Sequence, residues 1–443
     1  MPGTLKHPAR LVPLAFLVAI AMGTALLMLP PARAGAGAAP LLVALFTATS
    51  AICVTGLVVV DTATYWSGFG QVVILALFQL GGFGIMSGAT LLGLLVSRRL
   101  RLSTRLLAQA ETRGLALGDV VDVLKLVLAV TVAVQALLAA WLVLRLRLGH
   151  GEAWDAALWH GVFHAVAAFT NAGFSTYPGG AVAFAGDGLV LLPLMLGVVV
   201  GGIGMPVLHD IRRERRRAGR WSLHTKITLL GTAILLPAGM LATLVFEWDN
   251  PGTLGGFGVA GRALHAAFHS VMARSGGFNA VDVGAMRDET IVVTYALMLI
   301  GGGSAGTAGG IKVGTAVVVG LIVWAEIRGE RDAVAFGRRV PPEVQRQAMT
   351  VVVMAVAMVG LATLAVLAMS TLRLRDALFE VISAFATVGL STGVTAELPP
   401  AAQLGVVVLM FMGRVGPVTL ATALALRGGQ VPYRYPEERP IVG

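Results

Sequence analysis

The chain has one cysteine, Cys53, in 443 residues. A lone thiol forms no internal disulfide, no CxxC redox pair and no cysteine-based zinc site; set in an apolar run, it reads as a small packed side chain. Charge is scarce too. Asp, Glu, Lys and Arg make up 13% of the residues, against roughly 25% in soluble domains. With 56% hydrophobic residues, the chain is neither an ordinary cytosolic enzyme nor a disordered protein. The charge that is present is lopsided, 33 Lys and Arg against 23 Asp and Glu. The arginines sit in short loops at the ends of apolar runs, without a soluble basic fold around them, so no nucleic-acid partner is expected.

What fills the chain instead is long apolar runs. Leu11–Pro30, Asp122–Leu144, Lys226–Phe246 and Ala348–Met369 are each long enough to cross about 30 Å of hydrocarbon. The chain therefore reads as a multispanning protein in a lipid bilayer. Lys6, Arg10 and the Ala32-Arg33-Ala34 triplet superficially resemble a secretory signal. The run between them exceeds the roughly 7–15 residues of a signal core, so it is read as a retained helix.

A fourfold repeat runs through the sequence. Phe46–Leu57, Phe163–Phe174, Phe268–Phe278 and Phe379–Leu390 each pass from a phenylalanine through small apolar residues to a glycine followed by Phe or Leu; the third is one residue shorter. The marked glycines are Gly56, Gly173, Gly277 and Gly389, spaced 117, 104 and 112 residues apart. A second glycine cluster follows each at 25, 28, 24 and 24 residues: Gly81-Gly82-Phe83-Gly84, Gly201-Gly202-Ile203-Gly204, Gly301-Gly302-Gly303 and Gly413-Arg414-Val415-Gly416. Two landmarks holding register through four copies define a repeat. The segments before the marked glycines, near Leu41–Ile52, Leu158–Phe169, Ala263–Ala273 and Ala377–Ala386, are too short to span as helices. Irregular backbone cannot face lipid, so it must be buried in protein or line a watery cavity.

The expected fold is an all-α membrane protein of four helix–pore-loop–helix repeats around a pseudo-fourfold pore, with eight transmembrane helices. The repeats occupy residues 1–110, 111–221, 222–345 and 346–443, the last with a C-terminal tail. Placing Ser97–Val121, Ile211–Thr225, Glu326–Gln347 and both termini on one side puts 23 of the 33 Lys and Arg there and 8 opposite, with Lys312 and Arg414 at membrane depth. The positive-inside rule makes the first side cytoplasmic, giving a multi-pass protein of the cytoplasmic membrane with both termini inside.

A dehydrated monovalent cation needs several weakly polar oxygens, which rings of backbone carbonyls supply. The candidate filter is Val54, Thr55, Gly56, Asn171, Ala172, Gly173, Ser275, Gly276, Gly277, Thr387, Val388 and Gly389, acting mainly through the backbone. Glycine tolerates positive φ and leaves the axis uncrowded, and a preceding half-helix aims a partly negative C-terminus at the cavity. No ring of carboxylates accompanies these segments, which argues against a divalent-cation filter. No tight structural metal site and no covalent cofactor are expected.

The sequence resembles the Ktr/Trk/HKT superfamily of potassium-translocating subunits, most closely its KtrB branch. The likeness covers nearly the whole chain and is closest in Cys53–Trp66, Ser275–Asp282, Gly302–Lys312 and Gly413–Pro417. The resemblance implies K+ uptake through the pseudo-fourfold axis, a homodimer, and regulation by a cytosolic RCK-type ring of the KtrA/TrkA kind that carries the nucleotide on its own chains. Na+ enters as a possible modulator. All four filter positions keep glycine, whereas some plant relatives that pass Na+ carry serine in the first.

The second helix of the third repeat departs from the others. Gly301, Gly302, Gly303, Ser304, Ala305, Gly306, Thr307, Ala308, Gly309 and Gly310, ending at Lys312, cannot sustain a helix when each glycine costs about 1 kcal/mol relative to alanine. The resemblance makes this break an intramembrane loop that obstructs the pathway, and gives Arg414 a place facing the pore beneath the filter. Both are assigned to gating. Lys312 either joins them or snorkels to the cytoplasmic boundary. Asp61 and Asp282 either tune the outer mouth or cap the next element. His164 and His269 are read as hydrogen-bonding residues of the pore helices. The Arg212–Arg220 stretch either docks the ring, binds anionic lipid or only sets topology.

Two other classes compete with this reading. Gly302–Gly306 spells GxSxG, but no histidine base follows Ser304, so an intramembrane serine protease is disfavoured and the chain is not read as an enzyme. A secondary cation transporter with a midplane site usually has two inverted halves, whereas four units of like orientation are expected here.

Overall fold

The computed structural model of the protein describes residues 8–104, 117–214 and 217–416. The described residues are overwhelmingly helical. The chain runs α1 (Pro8–Leu27), α2 (Leu41–Ile52), α3 (Thr62–Tyr65) and α4 (Gly68–Thr104), then α5 (Leu117–Gly149), α6 (Trp154–Thr170), α7 (Gly188–Ile203) and α8 (Met205–Glu214). It continues through α9 (Leu223–Glu247), α10 (Val259–Met272), α11 (Asp288–Leu299) and α12 (Val313–Ile327), and ends in α13 (Pro342–Met369), α14 (Leu374–Phe385) and α15 (Pro400–Val415). The C-terminal tail beyond Gly416, including Pro417, lies outside the described residues.

Local sequence explains where the helices begin. The Ser222 hydroxyl accepts the Thr225 N–H at 3.2 Å to start α9, and Asp187 accepts the Leu189 N–H at 2.9 Å to start α7. These are N-caps satisfying otherwise orphaned donors. Prolines open α13 and α15, where a missing N–H costs nothing. Asp61 caps α3 through Thr64, and Asp282 accepts the Gly284 N–H at 2.9 Å, so both have local backbone partners.

Among the described residues, three helices, Leu124–Gly149, Leu223–Glu247 and Pro342–Met369, are long and apolar enough to cross a membrane. The α7–α8 pair makes a fourth if its 90° bend is one broken span. Pro13–Leu27, Gly68–Gly84, Val313–Ile327 and Pro400–Val415 are apolar but shorter. The long helices carry their apolar side chains outward: Leu137, Val245 and Leu361 are 68%, 71% and 69% exposed. In water such an array would associate; in a bilayer it is the solvated face. The short helices lie inside this shell, in a core of apolar side chains with buried threonines, serines and histidines among them.

The α7–α8 bend falls at Gly204, with φ +98°. A methyl group there would lie 2.5 Å from the Ser304 carbonyl oxygen, so this glycine serves both the bend and a close contact. One element breaks the all-α expectation. Val334–Ala335 and Arg338–Arg339 form a two-residue hairpin, β1 and β2, between α12 and α13. Its turn residues Phe336 and Gly337 have φ of +50° and +72°, the double positive-φ turn that matches strand twist.

The short helices α2, α6, α10 and α14 form the centre. Their phenylalanines Phe46, Phe163, Phe268 and Phe379 are all buried. This common position explains the repeated Phe in the sequence: it wedges each short helix into the surrounding bundle.

Candidate functional site

Each short helix ends in the same irregular turn. The Thr55, Ala172 and Val388 N–H groups reach back to the carbonyls of Ser50, Ala167 and Ser383 at 2.7, 2.8 and 2.9 Å. In the third turn, Gly276 N–H reaches Met272 O, one residue nearer, at 2.8 Å. That is the residue missing from the third copy of the sequence repeat. Two residues before each glycine the backbone turns left-handed, with φ of +56° at Val54, +62° at Asn171, +72° at Ser275 and +46° at Thr387. The glycines follow at +88°, +68°, +76° and +91°.

Asparagine tolerates that region, but β-branched Val54 and Thr387 do not. Each such residue costs on the order of 1–3 kcal/mol and persists only where its surroundings hold it. Holding groups are present: the Ser50 and Ser383 hydroxyls each accept the N–H of the glycine six residues on, Gly56 and Gly389, at 3.1 Å.

The four turns meet. A methyl group on Gly56 would strike the Ala172 carbonyl oxygen; on Gly173 it would come within 3.3 Å of Gly276 O; on Gly277, within 2.8 Å of Val388 O; on Gly389, against Thr55 O. The carbonyl before each glycine thus lies against the glycine of the neighbouring turn, in the cyclic order one, two, three, four and back to one. All twelve residues expected in the filter belong to these turns. The only side-chain polar groups they supply are hydroxyls and the Asn171 amide, so the ring is lined by neutral oxygens.

The glycine-rich break stands where expected, between the end of α11 at Leu299 and the start of α12 at Val313. Its glycines do more than break the helix. Gly301 and Gly309 are pressed against backbone: a methyl group on Gly301 would strike Gly309 O, and one on Gly309 would strike Thr387 Oγ1 and Ala386 O. The loop is packed against the ring, and only hydrogen atoms fit at those points. It is bonded there as well. Gly309 N–H donates to Ser275 Oγ at 3.0 Å, and Ser275 in turn donates to Thr387 O at 2.7 Å. Thr307 donates to Asn171 Oδ1 at 2.9 Å, while the N–H groups of Gly303 and Thr307 pair with Gly202 and Gly201 carbonyls at 2.8 and 3.1 Å.

Arg414 is buried and donates to the Thr307 carbonyl. Lys312 donates to Ala308 O at 2.5 Å, so it joins Arg414 on the loop. Arg274 is a residue that sequence reasoning misses: the charge pattern places it with the outer loops, but it is 6% exposed and its Nη2 donates to Gly301 O at 2.9 Å. Its position directly before Ser275 is the available signal. Glu380 is missed too: it shares the short helix α14 with Asp376, but it is fully buried behind the fourth turn. His164 and His269 make the hydrogen bonds expected of them, to Ser175 and Thr294 at 2.9 Å each.

Residues 9–430 match the family described as "TrkH: Cation transport protein". The chain belongs to the TrkH family of cation transport proteins. Relatives agree over almost the full length. The "Ktr system potassium uptake protein B" of Bacillus subtilis is 38% identical, covering 98% of this chain and 97% of that protein. The protein of the same name from Vibrio alginolyticus is 35% identical over 90% and 88%. The "Potassium/sodium uptake protein NtpJ" of Enterococcus hirae is 31% identical over 98% and 97%. The crystal structure of the potassium transporter TrkH from Vibrio parahaemolyticus shares the fold, with a TM-score of 0.76 over 96% of this chain and 86% of that one, at 16% identity. As a TrkH-family transport protein the chain is not an enzyme, and its GxSxG string is part of the packed loop rather than a nucleophile turn.

Proposed function

We propose that this TrkH-family chain takes up K+ across the cytoplasmic membrane, and that the four-turn ring is its selectivity filter. The observation that carries this reading is the closed cycle in which each pre-glycine carbonyl abuts the next turn's glycine. Such oxygens replace the water of a monovalent cation at low cost, and no carboxylate is present among the ring residues to hold a divalent one. The C-terminal ends of α2, α6, α10 and α14 abut these turns, and their dipoles favour a cation there. The chain then comprises four helix–pore-loop–helix repeats at 1–110, 111–221, 222–345 and 346–443, with eight spans and both termini cytoplasmic.

The Gly301–Lys312 loop is the gate. It is bonded to the second and third turns and packed against the fourth, so while it stays there an ion has no free way past the ring. Arg414 and Lys312 add two positive charges beside the path and hold the loop by its own carbonyls. Conduction requires the loop to leave these bonds. The trigger comes from outside this chain: a cytosolic nucleotide-binding ring of the RCK kind, acting on a homodimer, as expected of a Ktr-type uptake subunit.

The test is rubidium tracer uptake into proteoliposomes, with K+ or Na+ as competitor. Uptake suppressed by K+ and spared by Na+ is the expected result. Equal suppression by both would replace it with the second reading, a K+/Na+ pathway, which the name of the Enterococcus hirae relative favours. Silence even with the cytosolic partner present would exclude both.

A further inference from the structure

Two of the four turns are fastened a second time, from behind. In the fourth, the buried Glu380 carboxylate accepts from the Ser391 hydroxyl, from the Thr392 N–H at 3.2 Å and from the Thr395 hydroxyl at 2.7 Å. All three donors lie on the strand that leaves the ring just after Gly389. Glu380 stands nine residues before that glycine and Ser391 two after it.

The same offsets in the second turn give His164 and Ser175, and these also meet, Nε2 to Oγ, at 2.9 Å. His164 Nδ1 faces the His160 carbonyl at 2.8 Å. A carbonyl only accepts, so in the neutral ring the proton is assigned to Nδ1, and Nε2 accepts from Ser175. Glu380 and His164 are therefore different residues doing one job: a buried acceptor on the short helix holds the serine that follows the glycine. The first turn has Val58 at the serine position. In the third, His269 is turned away to Thr294. The cyclic order of the ring puts turns two and four at opposite corners.

We propose that the Glu380–Ser391 and His164–Ser175 pairs are positioning residues for ion selection, pinning the departing strands at two opposite corners and so fixing the spacing of the ring carbonyls. This rests on the ring being the K+ filter. Left-handed Thr387 gives the fastening its purpose, because a strained turn relaxes unless both its ends are held. Na+ is the smaller ion, and a ring free to contract would accommodate it better.

The full-length protein in proteoliposomes provides the test, by rubidium uptake in the presence of Na+. Ser391→Ala and Ser175→Ala remove one hydroxyl each from the strand and leave the buried acceptors in place. Each is expected to lower discrimination against Na+ about tenfold, the scale of one lost buried hydrogen bond. Glu380→Ala has the same expected effect. Glu380→Gln still accepts from Ser391 and lets the Thr395 hydroxyl reverse, so it should stay within about twofold of the native ratio. Native discrimination in folded, transporting Ser391→Ala and Ser175→Ala proteins overturns the proposal. So does an equal loss in Glu380→Gln and Glu380→Ala, which would make charge rather than hydrogen bonding the cause. Gly389→Ser is measured alongside: if it alone loses discrimination, only the clamps fall, and if it too is native-like, the filter reading falls with them.

Discussion

At the scale of single residues, the ring is defined by what will not fit. A side chain on Gly56 would have to share space with the Ala172 carbonyl at a φ of +88°, so any substitution moves a neighbouring turn as well as its own. Gly56→Ser is expected to fold, because its helix and hydroxyl supports remain, but to lose discrimination between K+ and Na+. Competition of rubidium uptake by the two ions measures this directly, and an unchanged ratio would remove Gly56 from the filter. The glycines are legible in the sequence because positive φ together with close approach favours glycine over any residue with a side chain. Val54 and Thr387 are not, since nothing in a β-branched side chain advertises a left-handed backbone; only the surrounding turn imposes it. Arg274 and Glu380 escape for a related reason. Their partners, Gly301 and Ser391, are distant in sequence or unremarkable in type, and only folding brings them within reach.

Elements show the same division. The short helices are legible from the fourfold register, and the α11–α12 break from its glycine content. That the break is a packed plate rather than a slack hinge is invisible there, because glycine serves both purposes with the same letter. The distinction matters for its removal. Deleting Gly303–Gly310 takes away the groups that bond Gly202, Asn171 and Ser275, and should raise basal rubidium flux in protein that still assembles. Unchanged or lower flux in monodisperse protein would show that the loop is not the obstruction. The N-terminal end of α7 is held by a partly buried ion pair. Asp187 caps this helix and takes hydrogen bonds from Arg145 and His150 at 2.8 Å each, tying α7 to α5. Burial opposes its ionisation, but the bonds from Arg145, His150 and the Leu189 N–H outweigh this and hold its pKa below the usual 3.8. The stabilisation is therefore complete above the unfolded value and is lost as pH falls through the folded one. Asp187→Ala should cost about 1 kcal/mol at neutral pH through the lost cap alone. Thermal unfolding in detergent should show the gap between variant and native closing below about pH 4, where an unperturbed Asp begins to protonate.

For the whole molecule, the direction of transport depends on which face is which, and the charge asymmetry supplies the expectation. Moving Arg274 from the outer loops to the depth of the four-turn ring strengthens it, since one fewer positive charge is counted on the outer side. The lone cysteine makes the question easy to put experimentally. Cys53 is fully buried, and burial pairs with its place at the end of α2 to keep it from water-borne reagents. Single cysteines introduced elsewhere therefore report without background. Asp249→Cys, beyond the end of α9, should react with a membrane-impermeant maleimide added to intact cells. Glu330→Cys, beside the β1–β2 hairpin, should react only after the cells are opened. The reverse pattern would invert the orientation and place the Arg212–Arg220 stretch outside. No cytosolic ring could then reach that stretch, and regulation would have to enter through the short loops on the other face. Labelling at both positions from outside would mean that one of the shorter apolar helices does not cross, and the eight-span arrangement would fall while the ring geometry stood.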